Sequence, residues 1–373
     1  MKKFTWIIPM TALALSLPGV SFAAKFNASN WMPNNHELAV HPYEELIPGV
    51  KERTNGRIEF VHFASGSLIP ARTTMQGIRD GVAAVGVVFP GYTPAEFPFS
   101  NVVNDLAFTS ADELASALAW SEINFTNKEL QDEWRKNGGV FGGGYTTPTY
   151  ELICNKPVID LKTANGKKYR SSLGVHTEWI RAMSGVAVSV PIGDVYSGMQ
   201  RGSIDCALAD LGNLDSVKLN EVATDVTILK MGGVNGASWV YNRDFWKKIT
   251  PEDRRVLMDE MAFGIARTQI GWAQNAQNAL KRAQEKGLKV HEPNKDLQDA
   301  FDDFNKSFID SLPESSKERR KLADATSVIQ DYLASYKKWM TLLENVDRTD
   351  SEALGSLIKT NLYDKVDVQK YGM

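Results

Sequence analysis

Residues 160–210 read DLKTANGKKYRSSLGVHTEWIRAMSGVAVSVPIGDVYSGMQRGSIDCALAD. Short apolar runs alternate here with helical patterns: KKYRSS, a helix over 175–184, VAVSVPI, a helix over 193–201, then SIDCALAD. That rhythm predicts an α/β fold, a mostly parallel sheet covered by helices. Lys167 and Lys168 open the first run as solvated charges, whereas Arg170 falls at its carboxyl end, just before a helix. Open α/β sheets place their ligands at that end of the strands.

The same alternation runs upstream. KFNASNW (25–31) reads as a strand, His36 to Arg53 as a helix, RIEFVHFA as a second strand closed by the turn SGSLIP, and 72–80 as a helix. VAAVGVVFP (82–90) is continuously apolar, as a strand buried on both faces should be. A helix over 111–136 breaks near Phe125, and five glycines follow between 138 and 144. A phosphate-binding loop would close on Lys-Ser/Thr, which is absent. The run reads instead as a flexible crossing between two domains, a hinge.

A second crossing is expected near 225–245. The predicted fold therefore has two lobes, built from 24–145 with 238–275 and from 146–237 with 276–373. From Pro251 a helical pattern continues to a stop at Gly287, with a cap at Thr250 and Asp253. It is long enough to be shared by both lobes.

Lys2 and Lys3, an apolar core from Trp6 to Val20, and Ser21-Phe22-Ala23 form a secretory signal peptide over 1–23, cleaved after about Ala23. The expected location is the periplasm, without stable membrane insertion. The 373 residues carry 42 Lys and Arg against 45 Asp and Glu. Removing Lys2 and Lys3 with the leader leaves a net charge near −5, and no basic patch points to nucleic acid. Cys154 and Cys206 are the only cysteines; a disulfide and two buried thiols are both open.

Catalytic patterns fail in turn. The histidines of HELAVH (36–41) stand five apart, about 140° around a helix, too far for one metal. No Gly-x-Ser-x-Gly elbow occurs. No metal or nucleotide signature survives, so no cofactor is expected and a non-enzymatic binder is the stronger reading.

The segment 160–210 resembles the substrate-binding proteins of tripartite ATP-independent periplasmic (TRAP) transporters, the DctP-like family. The matching residues are Asp160, Leu161, Lys162, Gly166, Lys168, Arg170, Pro191, Tyr196, Gln200, Gly202, Ile204 and Asp205. KERTNGRIEFVHFASGSL and VYNRDFWKKITPEDRRVL are similar to the family's first helix-strand unit and to its Asn-x-x-x-Trp segment. The resemblance implies a two-lobed periplasmic-binding-protein-like fold with hinge strands. It also implies a receptor, a monomer, that delivers a small organic acid to TRAP permease subunits. Arg170 would then anchor the carboxylate.

Departures from the family pattern refine the expected site. Asp194 stands where Glu is frequent, and Cys206 replaces a usual Gly. ALAD replaces the common Gln-Glu-Asn-Pro, whose Asn contacts ligand in several relatives, so Asp210 or Asn213 takes that role. Tyr150 stands where some relatives carry a second arginine, which leaves a single-arginine grip. Trp31, Phe89, Tyr92, Tyr150, Trp179 and Trp239 are the aromatic candidates, of which Trp31, Phe89, Tyr150 and Trp239 join the expected ligand set. The expected ligand is a monocarboxylate with an apolar or weakly cationic remainder. A receptor for an ATP-driven transporter or a sensor kinase shares the lobed logic, and an exported hydrolase is the rival of a different class.

Overall fold

The computed structural model describes residues 24–373, so the expected signal peptide lies outside the described residues. The strands are β1 (Ala24–Ser29), β2 (Ile58–Phe63), β3 (Val85–Val88), β4 (Gly139–Thr146), β5 (Tyr150–Cys154), β6 (Lys168–Ser171), β7 (Val186–Ser189), β8 (Cys206–Asp210), β9 (Asp225–Thr227), β10 (Asn235–Asn242) and β11 (Lys289–His291). They form two sheets, ordered β2-β1-β3-β10-β4 and β11-β9-β5-β8-β6-β7. Helices cover both, as the alternation predicts.

The sheets are mixed rather than purely parallel, and the exceptions have one cause. In the first sheet β10 runs antiparallel to β3 and β4. In the second β5 runs antiparallel to β8 and β9. Each is the strand that has just crossed from the other lobe, so it runs away from the cleft while its neighbours run towards it. The carboxyl ends of β1, β3, β6 and β8 therefore face the gap, together with the amino ends of β5 and β10.

The glycine run is not itself the crossing. Residues 139–146 are the buried strand β4, and the chain passes between lobes at 147–149 and again over 228–234. Close approach explains the glycines. A Cβ on Gly144 would stand 2.1 Å from Trp120 Cδ1, and one on Gly142 2.5 Å from Tyr241 Cε2. Any side chain there would force the covering helix or the neighbouring aromatics outward.

The helix Pro251–Glu285 is shared as expected, capped by the Thr250 hydroxyl, which accepts from Asp253 N–H at 3.1 Å. Thirty-five residues span about 52 Å. Its first turns hold the first lobe through Arg57–Asp253 and Arg53–Glu260. Its last turns reach the second, where Arg282 pairs with Asp215.

The C-terminal assignment needs correction. The helix Lys295–Arg320 packs Phe301 and Phe304 against Trp179 of the second lobe. The rest returns to the first lobe instead of staying with the second: Trp339 donates to Glu122 (2.9 Å), Tyr363 to Gly142 O (3.0 Å) and Tyr371 to Phe141 O (2.9 Å). The apolar backs of the helices Glu113–Thr126 and Pro251–Glu285 need a cover, and the amphipathic C-terminal helices supply it.

Cys154 ends β5 and Cys206 begins β8, directly opposite in register. They form a disulfide across the two strands.

Candidate functional site

The strand ends that face the gap enclose a cavity. From the first lobe come Trp31 beyond β1 and Phe89 and Tyr92 beyond β3; from the second come Tyr150, Arg170, Asp210 and Asn213; the shared helix contributes Trp272. The free volume is about 40 Å³, space for about three waters at roughly 10–15 Å³ each. The two lobes thus meet closely around the site.

Arg170 sits one residue before the end of β6 and is 1% exposed. Its Nε donates to Val190 O (3.2 Å), Nη1 to Leu208 O (2.9 Å) and Nη2 to Tyr92 Oη (3.4 Å). All three partners are neutral. A guanidinium has five donors; two N–H groups remain beyond these three bonds, and the Tyr150 hydroxyl stands close enough to the guanidinium to share one of its donors. That remainder suits a planar acceptor with two oxygens.

Asp210 ends β8, directly opposite Tyr150, and is likewise 1% exposed. Its Oδ1 accepts from Gly212 N–H (3.0 Å) and Trp272 Nε1 (3.2 Å), its Oδ2 from Asn213 Nδ2 (2.5 Å). Burial pushes its carboxyl up to about 6, against the pull of those donors and of Arg170. Burial likewise pushes the Tyr150 phenol up to about 12, Arg170 lowering it and Asp210 raising it. Tyr150 therefore remains a neutral hydroxyl between two opposite charges.

Contacts between the lobes are both polar and apolar: Val175 N–H and Arg320 donate to Asp105, and Phe108 stacks on His176 and packs edge-on to Phe301. Ile192 N–H donates to Tyr92 Oη at 3.0 Å, and Arg72 of the first lobe reaches Ser189 O of the second, also at 3.0 Å. Trp31 is held by its indole N–H on Val87 O at 2.8 Å and packs edge-on to Tyr92, their centroids 5.5 Å apart.

Six of the seven expected ligand residues thus meet at one cavity: Trp31, Phe89, Tyr150, Arg170, Asp210 and Asn213. Trp239 does not. It lies two residues into β10 beyond the cavity-lining Ala237, about 7 Å deeper at 3.3 Å per residue, and packs on Tyr43 at 4.4 Å in the first-lobe core. Trp179 is also core, behind Phe301 and Phe304.

The sequence reading missed His36, Arg72 and Trp272. In the sequence His36 offers only a failed metal-ligand spacing; in the fold it is the buried N-cap of the short helix Glu37–Ala39, its Nδ1 accepting from Leu38 N–H at 3.0 Å. Burial lowers its pKa to about 3, so the ring is neutral with its proton on Nε2. Trp272 carries no local signal, because its place depends on where a 35-residue helix passes the gap.

Two α/β lobes joined by two crossings and a shared helix, with polar groups from both turned into the gap, define a two-lobed periplasmic-binding-protein-like fold. The chain belongs to the bacterial extracellular solute-binding protein family 7, whose pattern matches residues 34–316. The resemblance drawn from residues 160–205 is thereby confirmed. A solute-binding protein of Albidiferax ferrireducens is 23% identical over 224 residues, 56% of this chain; the match spans 62% of that relative's length. The ectoine-binding periplasmic protein TeaA of Halomonas elongata is 21% identical over 263 residues, 69% of this chain and 76% of that one. Among solved structures, a TRAP solute-binding protein from a marine metagenome, specific for aromatic acids and crystallised with 3-hydroxybenzoate, superposes with a TM-score of 0.76 at 18% identity. It covers 85% of this chain and 99% of its own. At that identity the likeness speaks for the fold alone.

Proposed function

We propose that this protein is an exported receptor that captures a small carboxylic acid between its lobes and delivers it to a TRAP-type permease driven by an ion gradient. The observation that carries this reading is Arg170: a buried guanidinium with only neutral partners, the Tyr150 hydroxyl among them, and donor capacity beyond its three protein bonds. An uncompensated buried cation is costly, and a ligand carboxylate supplies both the counter-charge and the two acceptors. The aromatic walls favour a compact, partly apolar acid. The 3-hydroxybenzoate held by the marine relative is of that chemical kind.

Export is supported by the leader expected over 1–23 and by the disulfide, a bond that persists in oxidising compartments. No helix of the described residues is long and apolar enough to cross a membrane. Ligand that touches both lobes favours closure through its differential contacts. Arg72 and Tyr92, which reach Ser189 and Ile192, are among the first-lobe groups that meet the second.

A thermal-shift screen of metabolite acids and neutral sugars tests the reading. At a hundredfold excess over Kd a true ligand adds about 2.7 kcal/mol. A clear shift from sugars, with uniformly flat responses to acids, would overturn the carboxylate assignment.

A further inference from the structure

We propose that the ligand is a zwitterion, with its carboxylate on Arg170 and an N–H-bearing cationic nitrogen on Asp210 and Asn213. The inference rests on the carboxylate reading above and adds the chemistry of the other end of the molecule.

The cavity contains one full charge of each sign, and the two do not pair with each other. Arg170 is held by Val190 O, Leu208 O and Tyr92 Oη; Asp210 is held by Gly212 N–H, Asn213 Nδ2 and Trp272 Nε1. Every one of those partners is neutral. Opposite charges held apart by neutral groups are the complement of a dipolar molecule. A simple monoanion would satisfy Arg170 and leave Asp210 as an unbalanced buried charge; a dianion would be worse.

The acceptors at the Asp210 end are also incomplete. A carboxylate offers about four acceptor sites, and Asp210 uses three. Asn213 turns its amide nitrogen to Asp210, and its Oδ1, fully buried, has no partner among the described residues. One free site on Asp210 Oδ2 and one on Asn213 Oδ1 accept hydrogens and donate none. A primary or secondary ammonium, or an amidinium, satisfies both, whereas a quaternary nitrogen cannot. The indoles of Trp31 and Trp272 line the same cavity. The other ionisable groups around Asp210 do not take over this task. Arg170 turns its remaining N–H groups to the ligand's carboxylate, Tyr150 is a neutral phenol, and His36 is neutral because burial lowers its pKa.

The test is a calorimetric and thermal-shift comparison on the full mature chain, using carboxylic acids of matched size with and without an amino or amidine group, and the corresponding dicarboxylates. Piperidine-3-carboxylate, cyclohexanecarboxylate and cyclohexane-1,3-dicarboxylate form one such set; amino acids, cyclic amidine carboxylates and hydroxybenzoates extend it. The zwitterions should bind at least tenfold more tightly than their monoanionic partners, and the dicarboxylates weakest. Asp210→Asn, isosteric and checked by its melting curve, should erase that preference by weakening the zwitterions and tightening the monoanions. Arg170→Ala should lose both classes.

A wild-type protein that prefers monoanions and takes up a proton as they bind would overturn the inference, since a proton and not a ligand cation would then neutralise Asp210. So would an Asp210→Asn variant that keeps the zwitterion preference, or a panel in which no zwitterion raises the melting temperature. Those failures leave the carboxylate reading standing if simple acids bind through Arg170. Loss of acid binding altogether, with sugars bound, removes the carboxylate reading itself.

Discussion

Replacing Arg170 by alanine should abolish measurable ligand binding while leaving a folded protein. The magnitude follows from its bonding. Three donors hold Val190 O, Leu208 O and Tyr92 Oη, which leaves two for a carboxylate once it displaces the neighbouring Tyr150 hydroxyl. Charged hydrogen bonds contribute roughly 1.5–3 kcal/mol each, so two amount to about 3–6 kcal/mol, or about 10²–10⁴ in Kd at 1.4 kcal/mol per decade. Two carbonyls also lose a donor, at about 1–3 kcal/mol apiece, a cost that the melting curve reads separately from binding. Arg170→Lys keeps the charge but presents it as a point on a flexible stem. It cannot hold Val190 O and Leu208 O and also offer a flat fork, so binding should weaken at least about tenfold. Isothermal titration with an acid found by thermal shift measures both variants, and circular dichroism melts confirm that they fold. Wild-type affinity in a folded Arg170→Ala protein would refute the reasoning.

Tyr92→Phe removes the hydroxyl that accepts from Ile192 N–H and Arg170 Nη2; we expect affinity to fall several-fold and ligand-induced compaction in solution scattering to shrink. His176 is fully buried, and burial, with Arg170 nearby, lowers its pKa to about 3. Below pH 6.5 the unfolded chain binds the proton that the folded one excludes, so this residue's contribution is lost at about 1.4 kcal/mol per pH unit as pH falls from 6.5 towards 3. His176→Phe should show a flatter acid limb than wild type in denaturant titrations at pH 7 and pH 4.5. Breaking the disulfide with a Cys154→Ala/Cys206→Ala double variant should lower stability by about 4 kcal/mol for a loop of this length, read as a shift in the urea midpoint.

How much of the site is legible before folding depends on how locally each position is set. Arg170 and Asp210 are legible because the strand ends that carry them lie in one continuous strand-helix alternation, and strand ends face the cleft by the logic of the fold. Trp239 and Trp272 show the opposite case. Both are tryptophans in elements recognised from sequence, yet the one expected at the ligand is in the core and the other lines the cavity. Depth along β10 and rotation of a 35-residue helix are set by tertiary packing, and neither leaves a local mark. The glycines of β4 misled for a related reason. A glycine required by the approach of Trp120 reads the same as one required by a flexible turn. The C-terminal helices were recognisable as amphipathic, but amphipathicity does not say which lobe they cover.

The disulfide bears on recognition as well as on stability. Tyr150 and Asp210 face each other at one end of the β5–β8 pair, and Cys154 and Cys206 face each other at the other, about 13 Å along the strands. Side chains alternate between the faces of a sheet, so a slip of one residue would turn Tyr150 and Asp210 to the wrong side. The sulfur bridge fits only the native alignment, and it works as an index pin. A chain oxidised at this pair has its cleft-side residues already in step, so the register of Tyr150 and Asp210 is tied to a covalent mark laid down at the far end of the same two strands.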